Sequence, residues 1–226
     1  MNGEEPASAR PAPAIAALAS GSGTVLAAII ERGPPLALVA TDRPCPAIEV
    51  AEAAGVPAIM INRRDFGYRA GIGEGWDRRG FTRAVSDVLE EYETDVVAMA
   101  GFFTILHEVI FERYEGRILN THPALLPSFK GAHAVRDTLA SGVKTTGPTI
   151  HIATETPDDE SCIIAQTRDV PVLATDDVDT LWERIKVEER RLYPRVLWDI
   201  VNGEIDLERL RERSTSGRRR RDSRRV

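Results

Sequence analysis

The chain has 226 residues, which is enough for one large α/β domain with a substantial core or at most two small ones. Hydrophobic residues make up 42% and charged residues 28%, and the formal net charge of -6 argues against nucleic acid as the main ligand. Cys45 and Cys162 are far apart and outside any C-x-x-C, which excludes a disulfide framework and fits a reducing compartment, and no window of ~18 consecutive apolar residues offers a membrane span.

The opening MNGEEPASARPAP lacks the basic start and apolar stretch of a secretory signal, so residues 1–13 are expected to be a disordered leader of a cytoplasmic protein. AIAALA (14–19) has the continuous apolar character of a buried strand, and VLAAIIERG (25–33) reads as a helix closing at Gly33. LALVATD (36–42) and PAIMIN (57–62) read as strands around the helix PAIEVAEAAG (46–55). FTRAVSDVLEEYE (81–93) is helical and DVVAMAG (95–101) is a strand. This β-α-β-α-β-α-β order predicts a mostly parallel, twisted sheet with helices on both faces.

A helix near 107–115 precedes another strand, RILNTHP, and HAVRDTLASG (133–142) is a helix ending at Gly142. TIHIAT (149–154) and IIAQTRDVPV (163–172) are expected to pair as an antiparallel extension. The last element is a long helix from about Asp177 to Asn202, with acidic residues at its start where they suit the helix dipole. Residues 204–226 read as a polar tail with an arginine cluster, a solvated segment in a chain of opposite overall charge.

Four segments carry candidate chemistry. Ser20-Gly21-Ser22-Gly23-Thr24 joins the first strand to the first helix. Its glycines let backbone N–H groups approach an anion, and a helix N-terminus favours negative charge, so a phosphate fits; a plain tight turn fits the same residues. In Asn120-Thr121-His122-Pro123, extended backbone points Asn120 and His122 to the same side, and Pro123 keeps His122 extended. An amide beside an imidazole at a strand end suits an oxyanion in acyl transfer, although a satisfied histidine at a capped strand end has the same spacing.

Asp158, Asp159 and Glu160 crowd the loop between the two antiparallel strands. A carboxylate brought near His122 favours the imidazolium, whereas most acidic runs are solvent-facing turns. Glu189 lies on the inward stripe of the last helix with Leu181, Ile185, Leu192, Val196 and Ile200. A carboxylate there needs a donor: a ligand's amine or hydroxyl, water at the edge of the stripe, or an arginine such as Arg184. His107 and His133 have no second His or Cys at ligand spacing, so no metal site is expected.

Together ASGSGTVLAAII, VVAMAGFFTIL, GRILNTHPALLPSFKGAH, SGVKTTGPTIHIAT and ERIKVEERRLYP resemble the glycinamide ribonucleotide (phosphoribosylglycinamide) formyltransferase family of purine biosynthesis, in order across about 14–203. The resemblance implies a Rossmann-like formyltransferase domain over 14–203. It implies 10-formyltetrahydrofolate as donor, glycinamide ribonucleotide as acceptor, no metal, and a monomer or homodimer. It gives Ser20, Gly21, Ser22, Gly23, Thr24 and Val25 to the acceptor phosphate, with Arg78 as a second phosphate ligand and Glu189 at the ribose and glycinamide end. Phe103, Thr104, Ile105 and Leu106, with His151, Ala153, Thr154 and the loop that follows, are implied to face the folate. Asn120, His122 and Asp158 or Asp159 are implied to be catalytic.

The chain departs from the family pattern in places. Asp159-Glu160-Ser161-Cys162 stands where Asp-x-Gly-Pro is usual, so counting forward from His151 selects Asp158 and counting back from IIAQ selects Asp159. Val25 stands where an Asn is common, Thr104 replaces a frequent Arg, and 66–79 is unusually glycine-rich. A formyltetrahydrofolate hydrolase and a non-catalytic folate- and phosphate-binding relative are the alternative readings.

Overall fold

The computed structural model describes residues 12–69, 75–159 and 162–212. The leader up to residue 11, part of the glycine-rich stretch at 70–74, residues 160–161 of the acidic loop and the arginine cluster beyond 212 lie outside the described residues.

Among the described residues, strands and helices follow the expected alternation. The chain runs β1 (Ile15–Ala19), α1 (Thr24–Arg32), β2 (Leu36–Thr41), α2 (Ala47–Ala53), β3 (Ala58–Met60), α3 (Arg78–Glu91) and β4 (Val96–Met99). It continues with α4 (Phe111–Tyr114), β5 (Ile118–His122), α5 (Ala134–Ser141), β6 (Thr145–Thr146), β7 (Thr149–Ile152), β8 (Ile163–Gln166), β9 (Val170–Pro171) and α6 (Val178–Val201). Seven strands form one sheet in the order β3-β2-β1-β4-β5-β7-β8. The first five are parallel, and β7 and β8 extend the sheet antiparallel beyond β5.

The period of two along β1 divides the core. Ile15, Ala17 and Ala19 face a cluster built with α1, α2 and α6, through Leu26, Ile29, Ala51, Tyr193 and Leu197. Ala16 and Leu18 face the opposite cluster with α3 and α4, through Phe81, Val85, Leu89 and Tyr114. Burial on both sides explains why these strands are apolar at every position.

Three details differ from the sequence expectation. The helix expected at 107–115 is a 3₁₀ turn, Glu108–Ile110, running into the short α4. The strand expected over 163–172 is two pieces, because β9 leaves β8 to pair with β6. The chain also keeps packing past 203, where Ile205, Leu207 and Leu210 lie against the α1/α6 core and the aliphatic part of Arg211 crosses Gly116. Among the described residues no helix is long and apolar enough to cross a membrane.

Strand order reverses between β1 and β4, so the connections leaving their C-terminal ends diverge in opposite directions. This switch point opens a crevice at the carboxyl edge of the sheet, which is where open α/β sheets take ligands.

Candidate active site

A cleft of about 740 Å³ opens at that edge. Its walls are the Gly21–Val25 loop after β1, the Ala100–Phe103 run and Ile105 after β4, and the end of β5 from Asn120 to Pro123. Gly131, Ala132, Pro157 and Asp158 close one side, and Trp182, Lys186 and Glu189 of α6 close another.

The centre is built across the β5–β7 ladder. Asn120 pairs directly with His151 and His122 with Thr149. Thr149 also donates to the Ala124 carbonyl (2.6 Å) and accepts from the Leu126 amide (3.1 Å), and Gln166 donates to both the Leu126 carbonyl and the Thr149 hydroxyl at 2.8 Å. The chain leaving His122 is therefore tied to the sheet. Direct cross-strand neighbours lie close enough for their side chains to meet, and Asn120 Nδ2 sits 3.3 Å from His151 Nε2.

His151 Nδ1 lies 3.2 Å from the Ile152 carbonyl, so Nδ1 carries the proton and Nε2 accepts from the Asn120 amide. Burial lowers the His151 pKa, outweighing the Ile152 carbonyl and Asp158, which favour its charge. A neutral His151 thus takes one Asn120 N–H and leaves the other for the cleft.

Around His122, Nδ1 lies 3.2 Å from Asp158 Oδ1 and Nε2 lies 2.8 Å from the Phe129 carbonyl. Both partners are acceptors, so the ring is set to donate from both nitrogens, the hydrogen-bond pattern of an imidazolium. Asp158 accepts at 2.7 Å from the Gly131 amide and lies 3.7 Å from His151 Nε2. Burial raises the Asp158 pKa, but the His122 and Gly131 hydrogen bonds and the two nearby imidazoles overcome it and hold the carboxyl at about 2. Positive φ values at Phe129 (55°), Gly131 (89°) and Asp158 (52°) turn these backbone and side-chain groups onto one another.

The two registers in the acidic loop therefore resolve geometrically: Asp158 is the residue that reaches His122. Asp159 is half-buried and is not among the residues of the cleft wall.

At the far end, Gly23 is the N-cap of α1 with φ 73°. A Cβ there would come 3.0 Å from the Ala47 Cα, so glycine is required both by conformation and by the close approach of α2. The unpaired first-turn amides of α1 follow this loop, with the partial positive charge of a helix N-terminus. Glu189 faces the cleft from α6, which the Tyr193 hydroxyl anchors to β5 by donating to the Leu119 carbonyl at 2.9 Å. Burial pushes the Glu189 carboxyl up to about 7; the Thr121 hydroxyl, itself short of a well-formed hydrogen bond, and Lys186 and Arg190 pull it only partly back. Arg184 is not its partner, since it pairs with Asp176 at 2.8 Å.

Several residues expected at the site stand apart from the cleft wall. Arg78 is exposed in the first turn of α3, which Asp77 caps through the Gly80 amide. Ser20 and Thr104 are buried and turned beneath the wall, because their hydroxyls engage Phe103 N–H and Asp42 respectively. Leu106 packs into the α3/α4 core, Ala153 joins the same cluster, and Thr154 donates within its own turn to the Thr156 carbonyl. His151 supports Asn120 from behind.

Lys186 and Trp182 were missed in the sequence. They share the Glu189 face of α6, three and seven residues before Glu189, and the Lys186 ammonium sits 4.9 Å from the Trp182 ring. The helical spacing from Glu189 was the available signal. Among the described residues no group of three or more His, Cys, Asp or Glu is placed to hold a metal ion.

Comparison with known proteins points the same way. The profile of the family described as Formyl transferase matches residues 14–197. The chain is 43% identical over 180 residues to a phosphoribosylglycinamide formyltransferase of Mycobacterium tuberculosis, covering 77% of this chain and 79% of that one. Its fold resembles glycinamide ribonucleotide transformylase 1 of Symbiobacterium toebii, with a TM-score of 0.77 at 35% identity over 90% of this chain and 94% of the other. It also resembles the phosphoribosylglycinamide formyltransferase of Streptococcus pneumoniae, with a TM-score of 0.73 at 35% identity over 83% and 98%.

Proposed function

The chain belongs to the formyl transferase family, and from that premise we propose that it formylates the amine of glycinamide ribonucleotide in purine biosynthesis, with 10-formyltetrahydrofolate as donor, in the cytoplasm. The observation that carries this reading is that one cleft holds both the Asn120–His122–Asp158 cluster and a glycine loop at a helix N-terminus.

The walls fit the two ligands. The Gly21–Val25 loop, the start of α1 and the Lys186 ammonium suit the acceptor's phosphate, and Glu189 suits its ribose and glycinamide donors. Phe103 and Ile105 are 64% and 65% exposed on the opposite wall, an apolar surface for a flat heteroaromatic ring. The folate supplies an activated formyl group.

As the acceptor amine attacks the formyl carbon, negative charge develops on the formyl oxygen. Asn120 meets it with the N–H that His151 does not use, and the His122 imidazolium stabilises it electrostatically. Asp158 orients His122 through Nδ1, and from there passes the proton lost by the amine, through water, toward the departing folate nitrogen. The C–N bond to the acceptor forms first, and collapse of the tetrahedral adduct then breaks the bond to the folate nitrogen, which takes the proton the amine has lost, so atoms and charge balance.

The test is an assay with a 10-formyl-dideazafolate and glycinamide ribonucleotide, following loss of the formylated donor. Turnover that requires the ribonucleotide is expected. Turnover without it makes the protein a hydrolase, and donor binding without turnover makes it a non-catalytic relative.

A further inference from the structure

Asp42 stands just past the end of β2, outside the cleft, and its side chain is fully buried. Four groups, one from the segment after each of β1, β2, β3 and β4, converge on it. Arg43 Nε and Nη2 approach its two oxygens at 3.0 and 3.1 Å, and Arg63 Nη1 lies 3.2 Å from Oδ2. The Thr104 hydroxyl donates to Oδ2 and accepts from Arg63 Nη1 at 2.9 Å. The Ser20 hydroxyl faces the same carboxylate.

Burial pushes the Asp42 carboxyl up, but Arg43, Thr104 and Ser20 outweigh it and hold it below the usual carboxylate range. Arg63 is itself stacked 3.8 Å from the Tyr68 ring, which limits its freedom to leave the network.

The two hydroxyl partners lie beneath the cleft's two binding walls. Ser20 is the residue from which the glycine loop departs, and its Oγ accepts from the Phe103 amide at 3.2 Å while its own amide donates to the Gly101 carbonyl at 3.1 Å. Thr104 lies between Phe103 and Ile105, whose side chains are turned out into the cleft while Thr104 is turned in. One buried carboxylate therefore ties the start of the phosphate-side loop to the middle of the apolar wall.

We propose that Asp42 is a positioning residue that sets the separation of the two binding walls, so that it governs the affinity for both substrates while leaving Asn120 and His122 on β5, and Asp158 in the loop after β7, undisturbed. This rests on the functional reading above, in which the two walls hold the acceptor and the folate. Loss of interactions shared by ground state and transition state raises KM and spares kcat, whereas a role confined to stability lowers the melting temperature and leaves the KM of the folded fraction unchanged.

The experiment is steady-state kinetics on full-length Asp42→Ala, Asp42→Asn and Thr104→Val beside the wild-type chain, with thermal unfolding and quenching of tryptophan fluorescence by the dideazafolate. Asp42→Ala should raise both KM values on the order of tenfold, the worth of one charged hydrogen bond, with kcat within about threefold. Asp42→Asn, which keeps an acceptor for Thr104 and Ser20, should fall between it and wild type. If Asp42→Ala does not fold, Thr104→Val decides: it cuts one arm and should raise the folate KM several-fold more than the acceptor KM. A fall in kcat with both KM values unchanged, a lowered melting temperature with unchanged KM values, or an equal change of both KM values in Thr104→Val overturns the proposal. A silent wild-type chain refutes the functional reading instead, and the quenching titration then still reads whether Asp42 shapes the apolar wall.

Discussion

Replacing Glu189 with Gln should stabilise the protein above neutral pH and weaken acceptor binding. Glu189 is 7% exposed and its carboxyl is pushed from 4.5 up to about 7 by burial. A folded-state pKa above the unfolded value means that the folded chain holds its proton between about pH 4.5 and 7 while the unfolded chain has already lost it. Stability must then fall as pH rises through that window and level off above it. The gap is roughly 2.5 pH units, and at ~1.36 kcal/mol per unit the ionised carboxylate costs about 3 kcal/mol once pH exceeds 7. Gln keeps the shape and carries no charge, so it escapes this cost at every pH.

Urea unfolding of both proteins at pH 5 and pH 8 checks the argument, because every other titrating group is common to the two and cancels in the difference. The Gln variant should be more stable by about 3 kcal/mol at pH 8 and by under ~1 kcal/mol at pH 5. The same variant should raise the KM for glycinamide ribonucleotide, since an amide accepts more weakly from the ligand than a carboxylate. A stability difference that does not change with pH would refute the reasoning, because it would mean that Glu189 is already ionised at pH 5 or never ionises by pH 8.

The remaining predictions concern the reacting centre and the loop opposite it. Asn120→Ala removes a donor to the developing oxyanion and should lower kcat roughly 10²–10³-fold, measured at saturating substrates. Asp158→Asn should abolish most turnover while Asp159→Asn keeps it within severalfold, and the reverse result would transfer the carboxylate's role to Asp159. Asp158 also has a stability signature: its pKa of about 2 lies below the ordinary 3.8, so its contribution is present above about pH 4 and lost as pH falls toward 2, a slope the Asn variant should lack in acid unfolding. Gly23→Ala puts a Cβ 3.0 Å from Ala47 Cα at φ 73°. It should cost ~1–2 kcal/mol for the left-handed backbone alone, read as a melting temperature lower by several degrees and an acceptor KM several-fold higher.

Much of the site was legible one element at a time. Continuous apolar strands alternating with helical runs predicted the parallel sheet, and Asn120-x-His122-Pro123 placed two polar side chains on one side of a strand end, where the cleft lies. The inward stripe of the last helix singled out Glu189, and its neighbours Trp182 and Lys186 were readable by the same rule. Periodicity succeeds here because an element's faces are set by local geometry alone.

The choice between Asp158 and Asp159 was of another kind. Both lie in a loop one residue longer than the family pattern, and only the backbone at Asp158, with φ 52°, turns its carboxylate onto His122. Local composition cannot distinguish two adjacent aspartates when a turn's dihedral angles decide which one faces inward. Asp42 was equally invisible, because an aspartate at a strand end resembles a turn residue until Ser20, Arg63 and Thr104, distant in sequence, are brought around it. The residues themselves determined the order of elements and the side of each that is polar. The folded chain decided which strand ends become neighbours, since that depends on sheet order and crossover, and through it which buried charges find partners.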